Sequence, residues 1–187
     1  MIFKHIPLRR FSSLNKIYPS SAAALHDLQS GAQILFGGFG ICGIPENLIR
    51  YIHSSNVKDI WAVSNTAGIQ SFGLGTLLTA GKLKRFTASY VGENPEFERQ
   101  YLQGEISVEF SPQGTLAERC RSAAMGIPAF YTRTGLGTYV ETGGFPIKFS
   151  KGGKEVEEYS KPKEVIYIIW IEGEGQGVLK PKLISII

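Results

Sequence analysis

Short apolar runs recur along most of the chain, and amphipathic segments separate them. Apolar runs of this length, set between polar or glycine-rich segments, are typical of buried strands. The predicted strands are 32–36, 60–63, 85–91, 106–110 and 129–132.

The segments between these strands carry helix signals. Pro45 suits the first turn of a helix, and Asn94 suits the N-cap of another. Strands that alternate with helices predict an α/β domain, with an open, largely parallel sheet flanked by helices. The predicted helices run from Ser20 or Ser21 to about Leu28, and over 45–55, 74–79, 95–102 and 114–125.

Two stretches near the end of the chain depart from this alternation. Residues 135–153 are loose and glycine-rich, and such loops in α/β proteins usually lie at the carboxyl ends of strands, where ligands bind. Residues 165–171 are strongly apolar but too few to span a membrane, so they are interpreted as a buried strand. We therefore expect no membrane partner.

The first twenty residues differ in composition from the rest of the chain. Residues 1–20 are basic, contain no acid and include three serines. This composition is typical of a mitochondrial transit segment, so a matrix location is expected, and the alternative is a disordered basic arm.

Charge and metal-ligand types narrow the possible functions further. The chain has 20 Lys and Arg against 16 Asp and Glu, and four of the basic residues precede the first acid, Asp27. The remainder is neutral, which argues against a nucleic-acid partner. Cys42 and Cys120 are too few for a disulfide scaffold and match no zinc spacing, and the three histidines offer little for a metal site.

A glycine motif, GFGICG at 38–43, satisfies G-x-G-x-x-G between a predicted strand and a predicted helix. A dinucleotide site would also need an acid at the end of the second strand, and that strand ends in Val63-Ser64-Asn65. The hypothesis of an NAD-dependent oxidoreductase therefore rests on the glycines alone. Two interpretations of the glycines stay open: N–H groups that face a phosphate or an acyl oxyanion, or a tight turn packed on its own helix.

Other candidate residues carry weaker signals. Ser64, Ser71 and Ser89 lack His and Asp partners in a hydrolase pattern, and G-x-S-x-G is absent. Cys42 precedes a predicted helix, but we interpret it as a small buried residue. The charged residues of 93–99 are interpreted as a solvated, salt-bridged helix face.

Long segments of the sequence resemble the CoA-transferase family. Residues 30–49 resemble its amino-terminal signature, with Ser30 where the signature has Asp or Asn, and residues 89–135 continue the similarity. GTYVETGGFPIKF and SKPKEV extend it, so that it covers about 17–165. The resemblance implies the first half of a two-half enzyme, with a transit segment at 1–20, an α/β domain at 21–165 and a divergent tail at 166–187.

The resemblance is strongest to the 3-oxoacid CoA-transferases, which move CoA from succinyl-CoA to a 3-oxoacid such as acetoacetate. In that family a glutamate attacks the acyl-CoA, an enzyme thioester forms, and a second carboxylate takes over the CoA. The family needs no metal or redox cofactor and forms dimers. Its glutamate lies in an S-E-N-G motif of the second half, and no S-E-N-G occurs here. We therefore expect no catalytic nucleophile in this chain, and activity only with a second half.

The resemblance also implies which residues surround the substrate. Gln113 matches a family glutamine that contacts substrate, and Asn65 matches a position at a strand end. A cap at the start of a helix remains the alternative for Gln113, and a non-catalytic interaction module remains the alternative for the chain. The matching glycines of the turn near the site are Gly37, Gly38, Gly40 and Gly43.

Overall fold

A four-stranded parallel sheet lies at the centre of the fold. The computed structural model describes residues 17–172 and 176–186, so most of the predicted transit segment lies outside the described residues. Neighbouring strands follow the order β1-β2-β3-β4 and all pair in parallel, which confirms the predicted fold class. The strands are β1 (Gln33–Leu35), β2 (Ile60–Val63), β3 (Leu83–Ala88) and β4 (Ser107–Phe110).

Helices connect these strands and begin where capping chemistry allows. Ser20 and Asn94 accept hydrogen bonds from backbone N–H groups at the starts of α1 and α4. Helix α1 is shorter than predicted. It buries none of its own residues, and Leu25 and Leu28, beyond its end, pack against the core outside the helix. The helices are α1 (Ser21–Ala24), α2 (Glu46–Ser54), α3 (Leu74–Thr79), α4 (Pro95–Leu102), α5 (Gln113–Met125) and α6 (Tyr139–Thr142).

The hydrophobic core lies between one face of the sheet and helices α2, α3 and α4. Ile52 of α2 and Leu77 of α3 are fully buried in this cluster. The Phe86 ring of β3 meets the Phe97 ring of α4 edge to face, with centroids 5.3 Å apart. This packing fixes the ends of β1 to β4 relative to each other.

The other face of the sheet is polar. The Arg85 guanidinium lies 4.8 Å from the centre of the Trp61 ring, and Trp61 Nε1 donates to Thr87 Oγ1 at 2.9 Å. Helix α5 is tied to this face by Arg119, which donates to Glu109 at 2.8 Å. The start of α5 is thereby held near the carboxyl end of β4.

Two antiparallel sheets complete the described chain. The hairpin of β6 (Pro146–Phe149) and β7 (Val156–Tyr159) packs beside β4. Strand β8 (Val165–Glu172) agrees with the apolar strand predicted at 165–171, but it pairs antiparallel with β9 (Gln176–Ile186). β5 (Phe130–Thr132) also pairs with β9. The backbone groups of β5, which lies outside the parallel sheet, find their hydrogen-bond partners there.

The expectation for residues 135–153 is wrong for the second part of that stretch. The Phe145 ring lies 5.0 Å from the Phe110 ring, at the carboxyl end of β4. Lys148 Nζ, however, donates to the Gly104 carbonyl near the beginning of that strand, at 3.0 Å. The chain therefore runs back along the edge of the sheet, because the β6–β7 hairpin packs beside β4.

Candidate functional site

A cleft of about 390 Å³ lies at the carboxyl ends of the four parallel strands. Ligands of open α/β proteins bind at this edge of the sheet. Each of the four strands is followed by a segment that contributes to the wall. The lining residues are Phe39, Gly40, Ile41, Asn65, Thr66, Gly68, Ile69, Ser89, Tyr90, Gly92, Glu93 and Gln113.

The glycine motif folds as a narrow hairpin that forms one wall of this cleft. Phe39 and Cys42 exchange two backbone hydrogen bonds of 3.0 Å each. Gly40 has a φ of +58°, as the first central position of a type II′ turn requires. Gly38 has a φ of +122°, and a Cβ there would lie 3.1 Å from Ile44 Cγ1. Glycine is thus needed at both positions to form the hairpin.

This geometry bears on both interpretations of the motif. The turn is tight, because Phe39 and Cys42 pair across it, and α2 begins four residues after Cys42, at Glu46. The Gly40 N–H donates to Asn65 Oδ1 at 3.2 Å and so is not free for an anion. Cys42 is exposed; the prediction that it is buried is wrong, because the hairpin extends away from the core.

Three polar side chains meet at the carboxyl ends of β2, β3 and β4. Asn65 Nδ2 donates to Ser89 Oγ at 2.8 Å and to Gln113 Oε1 at 2.9 Å. Ser89 Oγ lies 2.6 Å from Gln113 Oε1. The structure therefore brings together Asn65, Gln113 and the glycine hairpin, which the sequence had proposed as one site. We call Asn65, Ser89 and Gln113 the amide cluster.

Ser89 is the member of this cluster that the sequence analysis missed. Its sequence context offers it only as a nucleophile, and it lacks the partners for that role. Its place just after a strand is the signal that would have indicated it, since Ser89 follows β3 as Asn65 follows β2. The cap proposed for Gln113 is wrong: Pro112 is the N-cap of α5, and the Gln113 side chain bonds to the cluster instead.

Gly37 is the one site glycine that neither lines the cleft nor has a positive φ. Nothing lies within 4 Å of a Cβ built at this position. It is the first residue of the segment between Phe36 and the hairpin. Its role as a binding residue stays a prediction.

A buried asparagine holds the far wall of the cleft. Asn94 is only 1% exposed. Its Oδ1 accepts from the Phe97 N–H at 3.1 Å, and its Nδ2 donates to the Gly68 carbonyl at 3.2 Å. The loop after β2 is thereby tied to the start of α4.

The remaining walls are largely apolar and open to solvent. Phe39 is 71% exposed, Ile41 55% and Tyr90 53%. Glu93 supplies the one carboxylate among the lining residues, with a φ of +68° that few non-glycine residues adopt. An apolar cleft with a polar amide cluster at its base suits an acyl chain that ends in oxygen atoms.

The charged residues of α4 do not line the cleft. Arg99 donates to Glu96 at 2.8 Å and to Glu105 at 2.7 Å, which confirms a salt-bridged helix face for Glu96 and Arg99. The same prediction is wrong for Glu93, which precedes α4 and lines the cleft. Hydrogen bonds from Arg99 lower the pKa of Glu96 to about 2, and Gln100 adds to this effect. The same guanidinium lowers the pKa of Glu105. This network holds the helix end rather than serving the cleft.

The described part of the chain contains neither a membrane-spanning helix nor a metal-binding group of side chains. No helix within it combines the length and the apolar character needed to cross a bilayer. Its His, Cys, Asp and Glu side chains form no group of three or more that could hold a metal ion.

Comparison with known families decides the identity of the fold. The sequence pattern of the Coenzyme A transferase family matches residues 18–177. The chain belongs to this family. The match continues past the start of the predicted divergent tail at 166, and the domain boundaries given above stay predictions.

Several relatives are named for one activity. The chain is 44% identical to succinyl-CoA:3-ketoacid coenzyme A transferase 2A, mitochondrial, of Rattus norvegicus, over 98% of this chain and 34% of the rat protein. It is 49% identical to the Homo sapiens transferase 2, mitochondrial, over 80% of this chain and 29% of that one. A bacterial relative from Xanthomonas campestris, named as one subunit of the same transferase, is 54% identical over 68% of this chain and 53% of its own length. The chain thus spans about a third to a half of these relatives.

Solved structures agree with the fold. An acyl-CoA transferase from E. coli O157:H7, solved as a thioester complex with CoA, superposes with a TM-score of 0.59 at 21% identity, over 88% of this chain and 31% of that one. Glutaconate coenzyme A-transferase of Acidaminococcus fermentans gives 0.54 at 19% identity, over 64% and 39%.

Proposed function

We propose that this CoA-transferase family member acts as the first part of a transferase that moves CoA from succinyl-CoA to a 3-oxoacid such as acetoacetate. The observation that carries the proposal is the amide cluster at the base of an apolar cleft, in a chain whose relatives are named for this exchange. A second part supplies the glutamate that forms the enzyme thioester. The proposed reaction uses a CoA thioester as substrate and needs no metal or redox cofactor.

Gln113 gives this part its contribution to the chemistry. Its Oε1 is engaged by Asn65 and Ser89, which leaves the Nε2 group to donate. A donor held beside a carboxylate or a thioester carbonyl stabilises the negative charge that develops on oxygen during acyl transfer. The glycine hairpin and Tyr90 enclose the acyl chain.

Complementation tests the proposal. The chain is mixed with the carboxyl-terminal part of a mitochondrial relative that carries the S-E-N-G glutamate, and succinyl-CoA to acetoacetate exchange is measured. We expect no turnover from either part alone and turnover from the mixture. Association of the two parts without turnover would support a non-catalytic interaction module, and turnover by this chain alone would overturn the division of roles.

Variants of the chain sharpen this test. Gln113→Glu replaces a donor with an anion, so the complemented activity should fall roughly 10²-fold, the usual effect of losing one such donor. Gln103→Glu makes the same change at an exposed residue of the α4 C-cap, outside the cleft, and should leave activity unchanged. Equal loss in both variants would contradict the role of Gln113.

The location and assembly form part of the same proposal. Two of the relatives are named mitochondrial, and residues 1–20 have the composition of a transit segment. Import into the matrix is expected to depend on these residues, and a reporter fused to residues 1–25 checks this. The transferase formed with the second part is expected to be a homodimer without nucleic-acid or membrane partners.

A further inference from the structure

We propose that Asn65 and Ser89 are positioning residues that fix the direction of the Gln113 amide, so that the cleft offers a ligand an N–H donor and not a carbonyl. The ligand class rests on the proposed function. The direction of the amide rests only on the hydrogen bonds of this chain.

The orientation of the Asn65 amide is fixed by a backbone group that can only donate. Gly40 N–H points at the side chain of Asn65 from 3.2 Å, so the atom that faces it must be the oxygen, Oδ1. The other end of the Asn65 amide is then Nδ2, which is a donor. Nδ2 lies 2.9 Å from Gln113, and the Gln113 atom that faces it must therefore be Oε1.

The donor hydrogens of Asn65 and Ser89 decide which atom of Gln113 is engaged. The two hydrogens of Asn65 Nδ2 go to Ser89 Oγ and Gln113 Oε1. The single hydroxyl hydrogen of Ser89 has two acceptors in reach, Gln113 Oε1 at 2.6 Å and the Asn65 carbonyl at 3.0 Å. The nearer one receives it, because the backbone N–H groups of Ser89 and Tyr90 already donate to that carbonyl.

Gln113 Oε1 thus accepts two hydrogen bonds and has no lone pair left for a ligand. Among the residues that the structure describes, none accepts from Nε2. A carboxylate or a thioester carbonyl in the cleft therefore finds a donor, whereas an amine or alcohol donor finds no acceptor at this residue. A hydrogen-bond chain that starts in the glycine hairpin in this way selects the chemistry of the ligand.

Side-chain amide exchange, measured by NMR on the full chain, tests this direction without any substrate. The hydrogens of Asn65 Nδ2 should exchange with water roughly tenfold more slowly than those of Gln113 Nε2, because only the former are hydrogen bonded. Asn65→Asp keeps the oxygen for Gly40 but presents a second acceptor to Gln113. The Gln113 side-chain amide should then flip so that Nε2 faces this carboxylate, and the exchange of its hydrogens with water should slow roughly tenfold.

Controls separate this effect from added charge or lost structure. Asn47→Asp adds the same charge on α2, retains the oxygen that accepts from Arg50, and should leave the exchange of Gln113 unchanged. Ser89→Ala should speed the exchange of the Asn65 amide, and Ser89→Thr, which keeps the hydroxyl, should restore it. The serine pair tests the proposal independently if Asn65→Asp does not fold.

A carboxylate probe links the direction of the amide to binding. Sodium acetate should shift the Gln113 amide signals in the parent chain and in Asn47→Asp, and should not shift them in Asn65→Asp. Slow exchange at Gln113 in the parent, or unchanged exchange in Asn65→Asp, would overturn the proposal. A failed complementation assay would leave the exchange result intact, so the two proposals fail separately.

Discussion

Replacing Asn94 should destabilise the chain and loosen the wall of the cleft. Asn94→Ala removes the acceptor that caps α4, at a cost of about 1 kcal/mol. It also strands the buried Gly68 carbonyl without its donor, which costs about 1–3 kcal/mol. The free energy of unfolding should therefore fall by about 2–4 kcal/mol.

Two further variants divide this loss between its two sources. Asn94→Ser retains a capping oxygen but loses the donor to Gly68, so it should recover only the cap, about 1 kcal/mol. Asn94→Asp also retains the acceptor but places a carboxylate beside the Gly68 carbonyl, so it should be less stable than the serine variant. These three variants form a series in which the helix start and the loop contact change separately.

Urea denaturation followed by circular dichroism measures the series. The midpoint should fall in the order Asn94, Ser, Asp, and the alanine variant should lie below the serine variant. The reasoning fails if Asn94→Ser is as stable as the parent chain, because the Gly68 contact would then contribute nothing. It also fails if Asn94→Ala loses less than about 0.5 kcal/mol, the lower limit for a helix cap alone.

Three more predictions concern the hairpin, the packed edge and the charged helix face. Gly38→Ala should destabilise the chain by about 1–3 kcal/mol in urea denaturation, because a Cβ there is strained and crowds the hairpin. Tyr101→Phe keeps the ring but removes the 2.6 Å hydrogen bond to the Pro146 carbonyl, and thermal unfolding should show a loss of about 1 kcal/mol. The Glu96–Arg99 contact holds the pKa of Glu96 at about 2, below its ordinary 4.5. Its contribution to stability should be complete above about pH 4.5 and disappear as the pH falls towards 2, and Glu96→Gln should flatten this part of the stability curve.

The candidate site was only partly predictable from the sequence. Asn65 and Gln113 were selected by resemblance, and the structure places them 2.9 Å apart. Ser89 was passed over because its importance depends on partners 24 residues away in each direction, Asn65 and Gln113. The predicted strand 85–91 also places Ser89 inside a strand rather than just after its end. In the structure β3 ends at Ala88, because both N–H groups after it turn to the Asn65 carbonyl.

The amino-acid sequence by itself determined the alternation of strands and helices and hence the parallel sheet. Strand β2 and helices α3 and α4 agree with their predicted bounds, because their apolar spacing and the cap at Asn94 are local signals. Only the tertiary structure decided that β5 pairs with β9, that Cys42 is exposed and that Gln113 presents its donor. These features depend on which groups meet across the fold, and the direction of an amide is set by its neighbours in space rather than along the chain.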